Sequence, residues 1–253
     1  MKLALINLLA GAAMIVINGL AMFGKIGGIT PQGVSERYPN VLTPAGWTFS
    51  IWSIIYILVM IFMIGSLVNA NVRTRAEDIG NWFWISCLLN IGWILTWHFD
   101  LIFASMLMML GLLTSLVMII SKTDEITLFN AGFSLYAGWI TVATLANLMV
   151  MLVSFGADGF GKTAQGIALS MIVVAIMVFT AVLLIRHDWV YGTAGVIAFA
   201  GIAYRQLSAS TGMLSGKYSL LAGVSVGGLA IILALTVFVL MKLKGGAGKV
   251  IQF

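Results

Sequence analysis

The sequence predicts an all-α integral membrane protein, a polytopic bundle of about eight transmembrane helices. Three observations support this fold class. Hydrophobic residues make up 61% of the 253 positions and charged residues only 8%, against roughly a quarter charged in a soluble domain. The mean hydropathy is +1.10. Eight spans of about 21 residues each would use roughly 170 positions, so there is no room for a separate soluble domain.

Apolar stretches long enough to cross about 30 Å of hydrocarbon occur along the whole chain. The turns at 98–100 and 186–188 are short, so they predict antiparallel neighbouring helices. The first stretch is interpreted as a retained helix, because it is long for a signal-peptide core. The predicted spans are residues 3–23, 44–69, 79–98, 101–121, 126–153, 165–185, 189–206 and 218–241.

The distribution of Lys and Arg between alternate connections predicts the orientation. With the N-terminus inside, the cytoplasmic side carries more basic residues than the other side. We therefore expect both termini in the cytoplasm and the protein in a bacterial inner (plasma) membrane. The cytoplasmic set is Lys2, Arg73, Arg75, Lys122, Arg186, Lys242, Lys244 and Lys249, and the opposite set is Lys25, Arg37, Lys162, Arg205 and Lys217.

The composition also argues against several function classes. The basic residues behind the net charge of +5 sit singly between apolar runs, so we expect no nucleic-acid partner. The single cysteine, Cys87, excludes an intramolecular disulfide, and no Cys/His cluster has metal-binding spacing. All carboxylates fall in predicted loops or at helix ends, which disfavours an ion-coupled pump. We expect no metal, no required cofactor and no catalytic residue.

Amides and indoles are the polar groups that the predicted spans do contain. Asn90 and Asn147 lie deep in apolar stretches and should face the bundle interior. Each amide has two possible roles, which are to form hydrogen bonds between helices or to contact a ligand. Trp52 and Trp93 are also deep, and with Tyr56 one turn after Trp52 they can form an aromatic wall. Core packing is the alternative for these rings.

Two further features have a functional and a structural interpretation. Residues 24–43 form the longest non-apolar connection, which is either a lid or a solvated connector. Gly223 and Gly227 in the last span suit close helix packing or a homodimer.

Three segments resemble the TspO family, also called translocator protein, peripheral benzodiazepine receptor or tryptophan-rich sensory protein. The second span, Pro44–Tyr56 followed by Met60, resembles the family's order of Pro, Trp, Phe, Trp, Tyr and Met. The third span contributes Leu89–Trp93, which resembles Leu-Asn-x-x-Trp, with Phe99 after it. The fifth contributes Tyr136–Asn147, which resembles Tyr-x-x-Trp-x-x-x-Ala-x-x-x-Asn.

The resemblance covers residues 1–153, the family's five-helix unit. It therefore implies a second part at residues 154–253, with three additional transmembrane helices and a basic cytoplasmic tail. The chain departs from the family at Ser86, Leu135 and Ala146, where the family has Gln, Pro and Leu.

The resemblance implies a pocket among the first five helices for a planar apolar ligand, either a tetrapyrrole such as protoporphyrin or haem, or a sterol-like lipid. Aromatic faces stack on a flat ring system, and amides can anchor a polar edge. Haem ligation is not favoured, because His98 and His187 lie at tight turns. The expected ligand-binding residues are Trp47, Phe49, Trp52, Tyr56, Asn90, Trp93, Trp139, Ala143 and Asn147.

Two functions follow from these expectations. The first is a non-enzymatic sensory or translocating protein whose partners are membrane lipid and a hydrophobic small molecule. The alternative is a transporter or permease component that moves a small substrate through the eight-helix bundle. The alternative predicts a polar cavity that reaches both sides, whereas the first predicts one mostly apolar pocket. Intramembrane catalysis is the least supported by the residues.

Overall fold

A computed structural model describes residues 1–123, 126–208 and 219–245, and it is all-helical over these residues. The predicted fold class is confirmed. Ten α-helices and one 3-10 turn follow one another along the chain. They are α1 Lys2–Met22, α2 Pro31–Arg37, the 3-10 turn Gly46–Ser50, α3 Ile51–Val68, α4 Ala70–Ile79, α5 Trp82–His98, α6 Ile102–Ile120, α7 Ala131–Ser154, α8 Lys162–Arg186, α9 Trp189–Leu207 and α10 Ser219–Gly245.

Long helices occupy all eight predicted spans, but fewer of them are long and apolar enough to cross a membrane. Six meet that requirement, and α4 and α5 provide a seventh if this pair, bent by 67°, forms one broken span. The expected number of eight crossings is therefore higher than length and composition support. The helix outside this set is α9, whose C-terminal end carries Arg205 and Gln206. It can be less apolar because it packs among α7, α8 and α10.

Two short helices were not predicted as separate elements. Helix α2 lies within the long connection after α1, where Thr30 caps it by accepting a hydrogen bond from Gly33 N at 3.1 Å, and Pro31 begins it. Helix α4 follows α3 after a break at Asn69, whose side chain accepts from the backbone N–H groups of Asn71 and Val72. Such Asn caps stop one helix and start the next.

The helix contacts divide the bundle into a ring and a triangle. In the ring, α1 packs on α5, α5 on α6, α6 on α7, α7 on α3, and α3 back on α1. In the triangle, α8, α9 and α10 pack on one another. The two groups meet mainly where α9 packs on α7. The ring therefore encloses an interior between its five helices.

A glycine allows the ring and the triangle to approach closely. A Cβ atom at Gly138 of α7 would lie 2.7 Å from the Tyr191 carbonyl oxygen and 2.8 Å from Ala194 Cβ of α9. Small residues at helix crossings let apolar backbones come into direct contact, which is how membrane helices gain packing energy. In contrast, a Cβ atom at Gly223 or Gly227 would meet nothing within 4 Å. The homodimer suggested by those two glycines remains a prediction.

Part of the charge pattern lies outside the described residues. This applies to Lys217 and Lys249, which entered the orientation count, and to the acidic pair Asp124 and Glu125. Among the described residues, Arg186 is partly buried at the end of α8, where its guanidinium donates to the carbonyl oxygens of Ile120 and Thr123. It thereby caps the C-terminal end of α6.

We predict that Gly138→Ala destabilises the protein, because the added methyl group meets a backbone oxygen that cannot rotate away. Overpacking of this kind costs about 1–3 kcal/mol. The measurement is the thermal unfolding midpoint of the purified protein in detergent. Gly166→Ala is the matched control, because nothing lies within 4 Å of its added Cβ atom on α8. Equal unfolding midpoints for the two variants would contradict the close crossing of α7 and α9.

Candidate ligand-binding site

A cavity lies inside the ring, beneath the connection that links α1 to α3. Its walls come from α2, the 3-10 turn and the helices α3, α5, α6 and α7, so neither α1 nor the triangle contributes a lining residue. Most of the lining is aromatic or aliphatic. The lining residues are Pro31, Ser35, Pro44, Phe49, Trp52, Trp93, Trp97, Met109, Trp139, Val142, Ala143, Ala146, Asn147 and Val150.

Four aromatic rings form a continuous stack along one wall. Tyr56 stacks on Trp52, with ring centroids 5.5 Å apart and planes at 22°. Trp52 stacks on Trp93 at 5.9 Å and 25°, and Trp93 stacks on Trp97 at 6.1 Å and 28°. One turn of α3 and one turn of α5 thus supply two rings each. Offset stacking of this kind adds to the stabilisation from burial.

Trp139 closes the wall from the α7 side. Its ring meets Trp52 edge-on, with centroids 6.4 Å apart and planes at 85°, and it meets Phe49 at 6.3 Å and 78°. Ala143 follows one turn later on α7 and also lines the cavity. Its small side chain leaves space where a larger residue would fill the cavity.

Two indole N–H groups in this wall are buried without a hydrogen-bond partner. They are the Nε1 atoms of Trp93 and Trp139. The neighbouring Trp97 is different, because its Nε1 donates to the carbonyl oxygen of Pro31 at 3.0 Å. A buried donor without an acceptor costs about 1–3 kcal/mol. An acceptor within reach of either indole N–H would remove that cost.

The two intramembrane amides occupy different environments. Asn90 is fully buried between α1, α5 and α7: it accepts from Asn18 Nδ2 at 2.6 Å and donates to the Tyr136 hydroxyl at 2.5 Å. It does not line the cavity. Asn147 does line it, and its amide lies 3.2 Å from Ser105 Oγ of α6. Asn90 thus connects three helices, whereas Asn147 is available at the cavity wall.

The structure brings most of the predicted ligand-binding residues to one cavity. Three of them lie elsewhere. Trp47 is 48% exposed and packs edge-on against Tyr204 of α9, with ring centroids 6.4 Å apart. Tyr56 lies behind Trp52, and Asn90 belongs to the network described above. The residues that do line the cavity are Phe49, Trp52, Trp93, Trp139, Ala143 and Asn147.

Sequence reasoning missed the other eight of the fourteen lining residues. Trp97 lies one turn after Trp93, and Val142 and Ala146 lie three residues after Trp139 and Ala143, so helical spacing alone could have indicated them. Pro31, Ser35 and Pro44 come from the connection, where no periodic pattern indicates which residues point inward.

The connection between α1 and α3 covers the cavity. Pro31 and Ser35 of α2 and Pro44 just before the 3-10 turn all reach its lining. At the outer edge, Arg37 forms an ion pair with Asp100 in the turn between α5 and α6, at 2.5 Å. Partial burial, with the Asp100 carboxylate nearby, raises the pKa of Tyr38 above its ordinary value. These contacts agree with a lid rather than with a solvated connector.

The cavity is small in this conformation. Its volume is about 60 Å³, which holds a few water molecules, since a buried water needs roughly 10–15 Å³ by this measure. The space in and around the cavity that no protein atom fills, open solvent included, is about 560 Å³. Pockets for drug-sized ligands usually measure about 300–1,000 Å³. A ring system as large as a tetrapyrrole therefore requires the walls or the cover to move.

The histidines lie outside the cavity lining. His98 is buried at the end of α5. Its Nδ1 lies 2.7 Å from the Ile94 carbonyl oxygen, and its Nε2 has no partner. His187 adopts a left-handed conformation at the end of α8, with Nε2 3.1 Å from Lys242 Nζ. Among the described residues no cluster of potential metal ligands occurs.

In a comparison with protein families, residues 4–241 match a family described as TSPO-like protein. The chain belongs to the TSPO-like protein family. The resemblance of the three sequence segments is thereby confirmed, and with it the assignment as an integral membrane protein of the TspO type. No match was found among curated proteins or among solved structures. The TSPO-like match runs across the predicted boundary at residue 153, and the division into two parts remains a prediction.

We predict that replacing the two amides costs different amounts of stability. Asn90→Leu should lower the free energy of unfolding by about 1–2 kcal/mol, because it leaves Asn18 and Tyr136 without their partner inside the bundle. Asn147→Leu should cost less stability, because its contact with Ser105 is long. Thermal unfolding in detergent measures both effects. A larger loss for Asn147→Leu would show that the network around Asn90 is not the main polar connection between these helices.

Proposed function

We propose that this TSPO-like protein binds a planar apolar ligand with hydrogen-bond acceptors in the cavity inside its five-helix ring. A tetrapyrrole is the first candidate and a sterol-like lipid the second. The observation that carries the proposal is the pair of buried indole N–H groups, on Trp93 and Trp139, that point to no acceptor in a wall of stacked aromatic rings.

The apolar part of the site favours a flat ring system. Trp52, Trp93 and Trp97 expose a stacked wall, and Trp139 stands across it. A planar ligand that slides against these rings gains burial and offset stacking at the same time. Flexible acyl chains would gain the burial but not the stacking.

The polar part of the site favours a ligand with acceptors. The Trp93 and Trp139 indoles can only donate, and the Asn147 amide can donate or accept. A tetrapyrrole carries carboxylates and ring nitrogens, whereas a sterol offers a single hydroxyl group. Because the two indole N–H donors have no partner, a ligand with several acceptors should bind more tightly than a ligand with one. The binding of haem by an axial histidine is not part of this proposal, since no lining residue is a histidine.

The lining is less suited to a transport path. None of the residues that line the cavity is ionisable, and its walls belong to one end of the ring, beneath the cover. A carrier for a polar substrate needs a wet path that can open to either side. Signalling through a change in helix packing, or release of the ligand into lipid, is compatible with an enclosed apolar site. We accordingly assign binding, not catalysis, as the activity.

We predict that removing either free indole donor weakens binding while keeping the aromatic wall. Trp93→Phe and Trp139→Phe should each reduce the affinity for protoporphyrin IX by about three- to tenfold, as expected for one neutral hydrogen bond. The measurement is a titration that follows the Soret absorbance of the porphyrin, so that loss of a tryptophan does not affect the signal.

Trp189→Phe is the matched control. Its Nε1 is also buried without a partner, but the residue does not line the cavity. Its affinity for protoporphyrin IX should equal that of the unmodified protein. Non-saturable binding, or an equal loss in all three variants, would reject the cavity as the tetrapyrrole site. A parallel titration with cholesterol in mixed micelles tests the sterol alternative.

A further inference from the structure

A short irregular segment of the cover is buried as deeply as the helices. We call residues 40–45, between α2 and the 3-10 turn, the strap. All six residues are buried: Asn40 is 2% exposed, Val41 is 3% exposed and Ala45 is 7% exposed. Non-helical backbone survives in an apolar bundle only when the protein itself supplies its hydrogen bonds. The source of these bonds therefore decides what holds the strap in place.

Only some of the backbone hydrogen bonds of the strap are made within the strap, by the side chain of Asn40. The Asn40 carboxamide oxygen accepts from Leu42 N at 2.9 Å and Thr43 N at 3.1 Å. This Asx-type turn shapes the strap but does not attach it to the bundle. Val41 N donates to the carbonyl oxygen of Gly159, in the turn between α7 and α8, at 3.3 Å.

Helix α9 supplies the remaining attachments. Gln206 Nε2 donates to the Val41 carbonyl oxygen at 3.1 Å, and Arg205 Nη1 lies 3.4 Å from the Pro44 carbonyl oxygen. In the opposite direction, Ala45 N donates to the carbonyl oxygen of Gly201 at 3.1 Å. One face of the last two turns of α9 thus holds the strap at both ends.

The attachment extends to α10. The Ser225 hydroxyl, which is fully buried, lies 3.1 Å from Gln206 Oε1 and 2.8 Å from the Leu221 carbonyl oxygen, so its single proton is shared between these two acceptors. Gln206 is itself 6% exposed, so its carboxamide is held from both sides within the protein. A buried amide with both ends bonded has a fixed orientation. The geometry of the strap is therefore set by two helices of the triangle.

Close packing reinforces these hydrogen bonds next to the cavity. A Cβ atom at Gly201 would lie 2.1 Å from Thr48 Cγ2 and 3.4 Å from Pro44 Cβ. Helix α9 therefore packs directly against the end of the strap and the 3-10 turn that follows it. Pro44 in turn lines the cavity. A displacement of the end of α9 must therefore move a wall of the cavity.

We propose that α9 and α10 fasten the cover of the cavity, with Gln206 as the positioning residue, and so control how readily the cavity opens. The cavity cannot take a planar ligand without widening. Most of its wall belongs to helices, whereas the strap is irregular and is held in place by a few hydrogen bonds. Treating this opening as a step in ligand entry rests on the proposed function. The fastening itself does not.

The test measures access to the cavity without any ligand. Ser35 belongs to the cover, lines the cavity and is 7% exposed, so Ser35→Cys places a reporter thiol at the inner surface of the cover. Cys87→Ser removes the native thiol, which is buried. The rate of modification by N-ethylmaleimide in detergent micelles then reports opening. Gln206→Met keeps the volume of the side chain but cannot donate to Val41, and we expect it to raise the rate by about three- to tenfold.

Thr236→Val is the matched control. It also removes a buried polar group, here a hydroxyl of α10, but Thr236 bonds within its own helix, to the Ile232 carbonyl oxygen at 2.7 Å, and lies about three turns along α10 from Ser225. Its modification rate should stay unchanged. An equal rise in both variants, or a rise in neither, would overturn the proposal.

Thermal unfolding of each variant separates fastening from a general loss of structure. If Gln206→Met strongly lowers the unfolding midpoint, the modification rate of the reporter thiol in Arg205→Met becomes the deciding measurement. Arg205 is only partly buried and its contact with Pro44 is longer, so this variant should fold normally and still raise the rate, by a smaller factor. No rise in Arg205→Met would then reject the fastening. A faster rate in Gln206→Met without any protoporphyrin binding would retain the fastening and reject the proposed function.

Discussion

The need to pair polar groups inside an apolar bundle governs the structure. Water is absent from the hydrocarbon region, so each buried amide, hydroxyl or irregular backbone group must find its partner within the protein. Asn90 meets this need by joining Asn18 and Tyr136, and through them three helices of the ring. The strap meets it by drawing on α9. The indole donors of Trp93 and Trp139 are exceptions to this rule, as are other buried groups such as the Asn7 amide and the Trp189 indole, but these two donors belong to residues that line the aromatic cavity of the ring.

The same constraint links the two groups of helices. A five-helix ring could enclose an aromatic cavity by itself, but the buried strap would then leave carbonyl groups of Val41 and Pro44 without donors. The triangle supplies them from the end of α9, and Gly138 allows α9 to approach α7 closely enough to do so. The match to the TSPO-like family over residues 4–241 includes both groups. The additional helices are thus attached to the structure that surrounds the cavity.

Much of the fold and part of the site could be predicted from the sequence because they depend on local pattern. Long apolar stretches located every long helix, and depth within a span indicated that Trp52, Trp93 and Asn147 lie in the interior, whereas Trp139 was expected there from the family resemblance. Spacing could not separate Asn90 from Asn147, since each is an amide in an apolar span. Their roles depend on which neighbours lie opposite, and those neighbours, such as Tyr136 and Ser105, are tens of residues away in the chain.

The sequence by itself determined that this chain is a helical membrane protein rich in buried indoles, because hydrophobicity and helical period act within a single segment. Only the tertiary structure decided that Trp47 faces outward, that Pro31, Ser35 and Pro44 cover the cavity, and that α9 holds the strap. These outcomes depend on contacts between segments up to 165 residues apart. An irregular segment has no periodicity, so its position is fixed only by the donors and acceptors that the folded bundle brings to it.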